Sequence, residues 1–276
     1  MQVKTGDLDL AYQIPANQAA QITDPAKLYV TSQYGSLYIY MNHKSGALGE
    51  VGVRKAISAA IDRRQINEIA FKGQNRVIGG FFPTTMEGYD PTANVNRDLN
   101  KAKELLKGTS CESGCTIEMM QRAGYPPYDT ISTIVAANLK EIGINVEIKT
   151  VDQATANTNE GSGNFEMEVG GLYDVVNSPE LIMLTYGLVP AGGINALFSN
   201  YRNSELTSLH QQLIETAGEA RKPLLDRINK IFAADMPYVP FGDFATLWAS
   251  RISPRIIVFT AAGSFQVGTK SLAPGQ

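Results

Sequence analysis

The sequence Val51-Gly-Val-Arg-Lys-Ala-Ile-Ser-Ala-Ala-Ile-Asp-Arg-Arg-Gln-Ile66 carries the clearest structural pattern in the chain. Its apolar residues recur at spacings of three and four, which places them on one side of an α-helix. These residues are Val53, Ala56, Ile57, Ala60 and Ile61. The preceding stretch, Leu37-Tyr-Ile-Tyr-Met-Asn42, has the composition of a β-strand. A strand leading into an amphipathic helix predicts a helix packed on a sheet, and we expect this helix over 51–70.

The overall composition favours a globular chain and argues against several classes of partner. The chain has 276 residues, 43% of them hydrophobic, which is enough for one large core or two modest ones. The formal net charge is −3 and no basic stripe is present, so we expect no nucleic-acid partner. The sequence has no apolar run of the ~18 residues that a membrane span needs. Its opening, Met1-Gln-Val-Lys-Thr-Gly6, shows no signal peptide.

The two cysteines lie close together in Cys111-Glu-Ser-Gly-Cys115. A metal site would need further cysteine or histidine ligands at a suitable spacing, and none is near. Ser113-Gly114 is typical of a tight turn ahead of a strand. The residues leave three states open: a disulfide, two free thiols or a catalytic pair. The disulfide is favoured and would indicate an oxidising compartment.

Helix and strand patterns alternate through the middle of the chain. A strand over Cys115–Gln121, a helix over Tyr128–Ile142 and a strand over Ile144–Val151 make a compact α/β unit. Further predicted helices are Asn96–Leu106 with Asp98 as N-cap, Asn203–Glu215 with Ser204 as cap, and Ala220–Asp235. Together these patterns predict a mixed α/β fold.

Two stretches are interpreted as breaks in regular structure. Lys27–Gln33 and Ser36–Asn42 are predicted as two strands joined by a turn at Tyr34-Gly35. Ala154–Asn164 is polar and is predicted as a loop that leads into the next strand. We therefore expect a turn at the first stretch and a loop at the second.

The sequence contains none of the common catalytic motifs. It has no Gly-x-Ser-x-Gly, no Gly-x-x-x-x-Gly-Lys-Ser/Thr and no His-Glu-x-x-His pattern. The only histidines are His43, interpreted as structural or as a pocket rim, and His210, interpreted as a surface residue. The sequence therefore gives no positive support for an enzyme, and no cofactor or metal is expected. The alternative from another class is an α/β hydrolase that uses Asp or Ser residues.

Asn42, Val53-Arg-Lys-Ala-Ile57 and Ala60-Ile-Asp-Arg63 form the most specific motif in the chain. They resemble the pattern of the peptide/oligosaccharide/nickel-type extracellular solute-binding proteins of ABC transporters, family 5. That pattern is Asn, a Pro-Phe-containing loop, then Val-Arg-x-Ala-Ile-x-x-Ala-Ile-Asp-Arg. The loop here, Ser45–Glu50, lacks the Pro-Phe element. The resemblance covers about residues 6–260 and is strongest at 53–63, 97–106 and 128–151.

The resemblance implies a fold and a division into domains. The fold would be a periplasmic-binding-protein-like α/β lobe, the C-terminal lobe of a two-lobed protein, with added strands from the hinge and first lobe. Residues 1–44 would belong to the first lobe and hinge crossing, 45–235 to the C-terminal α/β lobe, and 236–276 to the return through the hinge. Members of the family are usually about twice this length, so we expect a fragment of an exported protein.

The function implied by the resemblance is that of the solute-binding component of an ABC importer. A peptide or similar small solute would bind between two lobes and be delivered to the membrane permease subunits. Such a protein is expected to be a monomer in the periplasm or outside the cell. It would be attached to the envelope only through a lipid anchor or the permease. An oligosaccharide, an opine or another non-peptide solute is the alternative ligand within the family.

The loop Gly171-Leu-Tyr-Asp-Val-Val-Asn-Ser-Pro179 is the main candidate for ligand contact. The resembled family has Gly-Trp-x-Ala-Asp-Tyr-x-Asp-Pro here, and its Asp after Ala pairs with the N-terminal ammonium of a peptide. Aligned on the final proline, that Asp falls on Val175. Either the loop is shifted and Asp174 takes the role, or no free amino terminus is held there, which we favour. Tyr173 and Val175 suit a less charged ligand, and Asn177 can hydrogen-bond hydroxyls or amides.

Aromatic residues near the return strand are the second group of candidates. The rings of Phe241 and Trp248 could stack on a sugar or line a side-chain pocket, with core packing as the alternative for each. Asp243 is included because a carboxylate between Phe241 and Phe244 is unusual. The predicted binding residues are therefore Tyr173, Asp174, Val175, Asn177, Phe241, Asp243 and Trp248, and the predicted disulfide joins Cys111 and Cys115.

Overall fold

The computed structural model describes residues 2–12, 14, 16–19, 21–22, 28–93, 95–124, 127–174, 177–185, 187–189, 199–251, 257–259 and 265–267. Its helices are α1 Gln2–Thr5, α2 Ala16–Ala19, α3 Val51–Ala60, α4 Arg63–Ala70, α5 Leu99–Leu106, α6 Tyr128–Lys140, α7 Gln153–Ser162, α8 Pro179–Thr185, α9 Ser204–Glu215 and α10 Lys222–Asp235. Its strands are β1 Leu10–Tyr12, β2 Leu28–Met41, β3 Cys115–Arg122, β4 Ile144–Val151, β5 Met167–Asp174, β6 Tyr238–Ser250, β7 Ile257–Phe259 and β8 Phe265–Val267. Among the helices within these ranges, none is both long and apolar enough to cross a bilayer.

Six strands form one mixed sheet in the order β1-β6-β2-β5-β3-β4. β2 is central and antiparallel to both β5 and β6, whereas β3 is parallel to β4 and β5. The parallel pair β3–β4 is connected through α6, because parallel neighbours require a crossover. β7 and β8 pair with each other as a separate two-stranded sheet. Strands from the two ends of the chain thus lie beside strands from its middle.

The sheet separates two large hydrophobic cores. Successive side chains of a strand point to opposite faces, so Leu37, Ile39 and Met41 lie on one face of β2 and Tyr38 and Tyr40 on the other. The first face packs against α3, α4, α5 and α6, and the second against α7, α8, α9 and α10. The result is a three-layer arrangement that confirms the predicted α/β class.

The motif helix is divided into two parts. The apolar residues of α3 that the sequence spacing selects are fully buried in the first core, as predicted. The chain then leaves helical geometry at Ile61, and the carboxylate of Asp62 accepts a hydrogen bond from the N–H of Gln65 at 2.9 Å. Asp62 therefore begins α4 as its N-cap, because it satisfies a free N–H group of the first turn. The prediction of one helix over 51–70 is wrong in this respect.

Arg54 of the motif binds the ends of two helical segments. Its guanidinium donates to the carbonyl oxygens of Leu48 and Gly49 at 2.9 Å, at the end of the 3-10 helix Gly46–Gly49. It also donates to the carbonyl oxygens of Asp235 and Met236 at 2.8–3.2 Å, at the end of α10. Carbonyls at a helix end have no intrahelical partner, so Arg54 supplies the donors that they lack.

Arg63 of the motif fixes the start of α4 to β6. Its side chain is buried and donates to the carbonyl oxygen of Pro240 at 2.7 Å and to that of Ser58 at 2.9 Å. Burial lowers the pKa of Arg63 to about 10, which still leaves the guanidinium charged at neutral pH. Both arginines of the family-like motif therefore join the α3–α4 segment to the chain around residues 235–240.

The predicted turn at Tyr34-Gly35 is wrong. β2 runs without a break from Leu28 to Met41 and pairs with β5 along its second half and with β6 along most of its length. Only the register of the β2–β6 pairing is irregular, between Ser32 and Ser36 and again between Leu37 and Tyr38. Neighbours on both sides keep the chain extended through a residue pair that, on its own, favours a turn.

The predicted loop over Ala154–Asn164 is also wrong, because this stretch contains α7. The carboxylate of Asp152 accepts hydrogen bonds from the first N–H groups of the helix, and Gly163 ends it with φ 70°. Capping at both ends therefore outweighs the polar composition. The cap of α9 is Asn203 and not the predicted Ser204, whereas Asp98 caps α5 as predicted.

The predicted division at residues 44/45 and 235/236 falls at the ends of the long strands. β2 belongs to the first segment, β3, β4 and β5 to the second, and β6 to the third, yet all five lie in one sheet. At the β1 end of this sheet, a small cluster of Val3, Ile14, Ala19, Leu247 and Ala249 is buried apart from the two large cores. The division into lobes itself stays a prediction.

Cys111 and Cys115 form a disulfide in the connection between α5 and β3, with their Cα atoms 4.9 Å apart. Cys111 is fully buried in the first core. Gly114, at φ 96°, supplies the turn that brings the two sulfur atoms together. The bridge therefore fixes the turn that starts β3.

Gly52 sets the distance between α3 and α5. A Cβ atom here would lie 2.9 Å from the backbone oxygen of Leu105 and 2.9 Å from Cγ2 of Thr109. We expect Gly52→Ala to lower the free energy of unfolding by about 1–3 kcal/mol, because the two segments must move apart. Urea unfolding followed by circular dichroism measures the change.

The matched control is Gly161→Ala in α7, where the described chain places no heavy atom within 4 Å of the added Cβ. Helix propensity predicts unchanged or slightly higher stability for this variant. Equal stability of the two variants would contradict the close contact at Gly52.

Candidate functional site

The predicted binding loop leaves the sheet at the end of β5. There the backbone of Tyr173 pairs with Gly35 of β2, and that of Asp174 pairs with Tyr34. Val175 lies outside the described residues. The predicted residues at the start of the loop are therefore held beside the part of β2 where its pairing with β6 is irregular.

Asn177 connects the far end of this loop to another segment. Its side chain is exposed, and Nδ2 donates to the carbonyl oxygen of Thr85 at 3.2 Å. Ser178 follows, and its hydroxyl accepts a hydrogen bond from the N–H of Leu181 at 3.1 Å, which starts α8. The loop is thus fixed by β2 on one side and by the turn at Thr84–Thr85 on the other.

Asp243 is fully buried and binds the same turn. Its Oδ1 accepts a hydrogen bond from the N–H of Thr84 at 3.0 Å, and its Oδ2 accepts a short one from the Thr84 hydroxyl. The N–H of Asp243 donates to the carbonyl oxygen of Arg76 at 3.0 Å, and Nη1 of Arg76 donates to the Thr84 hydroxyl at 3.0 Å. Each oxygen of the buried carboxylate therefore accepts a hydrogen bond from Thr84, which holds segment 76–85 to β6.

The structure brings part of the predicted set together. Ser36 of β2 pairs with Leu172 of β5 on one side and with Asp243 of β6 on the other. We call this region the strand-crossing site and define it as Tyr173, Asp174, Asn177, Asp243 and the turn Thr84–Thr85. Its members come from three distant parts of the chain and are joined by backbone pairing and the hydrogen bonds described above.

Phe241 and Trp248 lie elsewhere. The ring of Phe241 is 2% exposed and packs in the first core, and Trp248 is 3% exposed. Trp248 pairs through its backbone with Tyr12 of β1 and Tyr29 of β2, away from the strand-crossing site. Both rings are enclosed by this chain, as in the core-packing alternative for each.

Sequence reasoning missed the residues that build the wall of the site. Tyr38 is buried, which raises its pKa, and its hydroxyl donates to the carbonyl oxygen of Phe81 at 2.5 Å. Phe81 and Phe82 anchor segment 76–85 in the second core. Gly242 permits this packing, because a Cβ there would lie 2.8 Å from Nδ2 of Asn75. The local signal was the pair of phenylalanines followed by Pro83, shortly after Val77 and Ile78.

The two histidines do not form a catalytic arrangement within the described chain. Burial and the neighbouring Arg54 lower the pKa of His43 to about 4, and its Nε2 lies 3.2 Å from the carbonyl oxygen of Pro237. Nε2 of His210 lies 3.1 Å from the carbonyl oxygen of Glu180. Each ring therefore donates to a backbone carbonyl. Among the same residues, no cluster of three or more His, Cys, Asp or Glu could hold a metal ion.

Arg122, at the end of β3, is enclosed by two buried glutamates. Its Nε lies 2.8 Å from Oε1 of Glu168 on β5, and its Nη2 contacts Oε1 of Glu160 on α7. Burial raises the pKa of Glu168 to about 6, although the charge of Arg122 acts in the opposite direction. One guanidinium thus faces two carboxylates, and α7 is held to the sheet by this cluster.

The first 191 residues match the sequence profile of the bacterial extracellular solute-binding proteins, family 5, middle region. This chain belongs to that family. The probable D,D-dipeptide-binding periplasmic protein DdpA of Escherichia coli K12 is 27% identical over 245 residues, which cover 87% of this chain and 47% of DdpA. Heme-binding protein A of Haemophilus influenzae is 25% identical over 265 residues, 93% of this chain and 47% of that protein. The chain therefore spans about half the length of these relatives.

Two solved structures of similar proteins share the fold. HbpA2 of Haemophilus parasuis matches with a TM-score of 0.81 at 21% identity, over 97% of this chain and 55% of that one. DppA of Helicobacter pylori, solved in complex with the peptide STSA, matches with a TM-score of 0.77 at 20% identity, over 94% of this chain and 51% of that one. These likenesses confirm the predicted periplasmic-binding-protein fold.

The hydroxyl of Thr84 can be removed without changing the volume of the side chain much. We expect Thr84→Val to lower the free energy of unfolding by about 1–3 kcal/mol, because the buried carboxylate of Asp243 loses a charge-assisted hydrogen bond. Thr84→Ser keeps the hydroxyl and should remain close to the parent protein. Urea unfolding compares the two, and equal losses would show that the hydroxyl contributes nothing.

The pKa of Glu168 predicts a pH dependence. Because its pKa in the folded state, about 6, lies above its ordinary value of 4.5, the folded protein binds this proton more tightly than the unfolded chain does. The contribution of Glu168 to the free energy of unfolding therefore falls as pH rises from about 4.5 through about 6. Glu168→Gln cannot ionise, so its free energy of unfolding should rise relative to that of the parent protein by about 1.5 kcal/mol between pH 4.5 and pH 6.5.

Urea unfolding across pH 4.5–6.5 measures this difference. Glu118→Gln, which removes a half-exposed carboxylate from the neighbouring strand β3, is the control and should leave the profile parallel to that of the parent protein. Parallel profiles for Glu168→Gln would contradict the raised pKa.

Proposed function

We propose that these 276 residues form the C-terminal portion of the solute-binding component of an ABC importer. The component would bind a peptide or similar small solute between two lobes and deliver it to membrane permease subunits. The match of residues 1–191 to family 5 carries this proposal. DdpA is named for a D,D-dipeptide, and the Helicobacter pylori DppA structure contains a peptide, so a peptide is the first ligand to test.

The proposed ligand-facing surface is the strand-crossing site. Tyr173, Asp174, Val175 and Asn177 would contact the solute, and Asp243 would support the wall by holding Thr84. Phe241 and Trp248, whose rings are buried, would act only through the packing of β6. This assignment follows from the position of the loop at the end of β5, where β2 fixes one end of the loop and Thr85 fixes the other.

The second wall of the cleft is proposed to lie outside these 276 residues, because the relatives are about twice as long. In this proposal 1–44 and 236–276 lead into the other lobe and 45–235 form this one. The irregular register between Ser32 and Ser36 supports a hinge at the crossing strands. Closure of the two lobes would bury the solute and present a surface to the permease.

The same proposal gives the location and partners. The protein would be a monomer in the periplasm or outside the cell, held at the envelope by a lipid anchor or the permease, with no catalytic step and no nucleic-acid partner. DdpA and the OppA protein of Haemophilus influenzae are named as periplasmic, which supports this location.

A non-peptide solute is the second candidate. Relatives are named for nickel and for heme, and AgaA, which matches with a TM-score of 0.79, was solved with agropinic acid. The hydrolase alternative has less support, because within the described residues His43 and His210 donate to backbone carbonyls and are not paired with a nucleophile.

Isothermal titration calorimetry with a fixed panel tests the proposal. The panel is Ser-Thr-Ser-Ala, D-Ala-D-Ala, maltotriose, hemin and Ni²⁺. Each is titrated into the 276-residue chain and into the intact protein, by which we mean the proposed longer protein with both lobes. We expect the intact protein to bind one of the two peptides. The 276-residue chain should bind it with a Kd at least about tenfold higher, because one wall is missing. Equal affinity would contradict the two-walled cleft, and binding of only a non-peptide would favour the second candidate.

Asp174→Asn separates the two interpretations of the loop. Because aligning the sequence on Pro179 puts Val175 where the family has its ammonium-binding Asp, we expect this substitution and N-acetylation of the peptide each to leave Kd within about twofold. A larger loss with Asp174→Asn, seen for the free peptide but not for its N-acetylated form, would make Asp174 the ammonium anchor. The acetylated peptide is thus the control for the substitution.

A further inference from the structure

Arg221 joins two segments that flank the strand-crossing site. Its Nη2 lies 2.7 Å from Oε1 of Glu180, and its Nε lies 2.8 Å from Oε2 of Glu87. Glu180 is in the first turn of α8, directly after the binding loop. Glu87 follows closely on the turn Thr84–Thr85 in the chain. The side chain of Arg221 therefore connects the start of α8, which follows the binding loop, to the segment that follows the turn Thr84–Thr85.

Backbone carbonyl oxygens hold the guanidinium of Arg221 in place in addition to the two carboxylates. Its Nη1 donates to the carbonyl oxygens of Leu213 at 3.0 Å and Thr216 at 3.1 Å, at the end of α9. Leu206, Leu209 and Leu213 bury α9 in the second core, so these carbonyls are fixed. The side chain of Arg221 is only 16% exposed. A planar guanidinium with its donors engaged on three sides has little freedom left to lose.

Glu180 is equally well defined. Its Oε2 accepts from the hydroxyl of Ser178 at 2.8 Å while Oε1 meets Arg221, and its carbonyl oxygen accepts from His210. Burial acts to raise the pKa of Glu180, but hydrogen bonds from its own N–H, from Ser178 and from Arg221 outweigh it and hold the pKa below its usual range. The carboxylate is therefore ionised at neutral pH, and the pair with Arg221 is charge-assisted.

The contacts form a closed ring around the end of the loop. Asn177 donates directly to the carbonyl oxygen of Thr85, and the chain continues from Thr85 to Glu87. Arg221 completes the ring through Glu87 and Glu180. The direct bond is a single exposed contact between neutral groups, worth about 1 kcal/mol. The side chains of Arg221 and Glu180 are 16% and 18% exposed, whereas Glu87 is half-exposed, so the pair of Arg221 with Glu180 carries more of the restraint on the loop.

We infer that Arg221 is a positioning residue for the proposed ligand site, which fixes the Asn177–Glu180 end of the binding loop against the Thr84–Thr85 turn without touching the solute. The effect on ligand affinity rests on the proposed function. The effect on the loop does not, because it follows from contacts within this chain.

Hydrogen exchange followed by mass spectrometry tests the restraint on the loop. We expect Arg221→Met to speed exchange of the amides in 177–185 at least about tenfold and to leave 115–151 unchanged. Arg221→Lys keeps the charge but cannot reach both carboxylates and the carbonyls together, so its effect should be intermediate.

Arg227→Met is the matched control. Arg227 also forms a forked pair, with Glu205 at 2.6 and 2.9 Å, and joins α10 to α9, but both partners are half-exposed and neither flanks the loop. Exchange in 177–185 should match the parent protein. Unchanged exchange in Arg221→Met, or an equal increase over 115–151, would overturn the inference.

The second readout is the Kd of the intact protein for Ser-Thr-Ser-Ala and D-Ala-D-Ala. We expect Arg221→Met to raise the Kd of the bound peptide about five- to tenfold, with Arg227→Met unchanged. Faster exchange with unchanged Kd would overturn the positioning role. If the parent protein binds neither peptide, the proposed peptide function fails, while the exchange result still decides whether Arg221 restrains the loop. If Arg221→Met does not fold, Arg221→Lys decides by the same two measurements.

Discussion

Two guanidinium groups hold the middle of this chain to its return strand. Arg54 and Arg63 belong to one short motif, and both donate to backbone carbonyls between Asp235 and Pro240. A buried charge is costly unless it is fully hydrogen-bonded, and a helix-end carbonyl is costly unless it finds a donor. Here the guanidinium groups supply the donors and the backbone carbonyls supply the acceptors, so both are satisfied only when the α3–α4 segment and the start of β6 come together. The most recognisable motif of the family thus acts as framework in this chain.

The strand-crossing site depends on that framework. Once the start of β6 is fixed, Asp243 lies opposite Ser36 and can hold Thr84, and Thr85 can receive Asn177. The residues of the strand-crossing site and its loop that the sequence assigns to ligand contact therefore divide into two groups. Asp243 supports the wall, whereas Tyr173, Asp174, Val175 and Asn177 stay candidates for the solute. A binding surface that must accept a flexible solute benefits from supports that do not move with it.

What could be predicted from the sequence was local. The buried face of α3, the cap at Asp98 and the unit over 115–151 follow from spacing and capping rules that act within about ten residues. The continuity of β2 through Gly35 could not be predicted in this way, because it depends on neighbours from β5 and β6. The resemblance to family 5 supplied the fold, since no periodicity in the chain indicates how its parts meet.

The contacts of the site were out of reach for the same reason. Thr84 with Asp243, and Arg221 with Glu87 and Glu180, join residues that are far apart in the chain and leave no pattern in it. Nothing local distinguishes Arg221 from Arg227, although one flanks the loop and the other lies on the surface. The different roles of Arg221 and Arg227 are therefore visible only in their three-dimensional contacts.

The pairing of Leu28 with Ala249 has a consequence for biosynthesis. Because a ribosome makes the chain from its amino end, β2 lacks one of its two neighbours until translation has passed Ser250. Closing so long a loop is entropically slow, and an unpaired strand edge invites wrong association in the meantime. The nascent chain must therefore remain incompletely folded until β6 emerges, which gives chaperones a long interval in which to bind it.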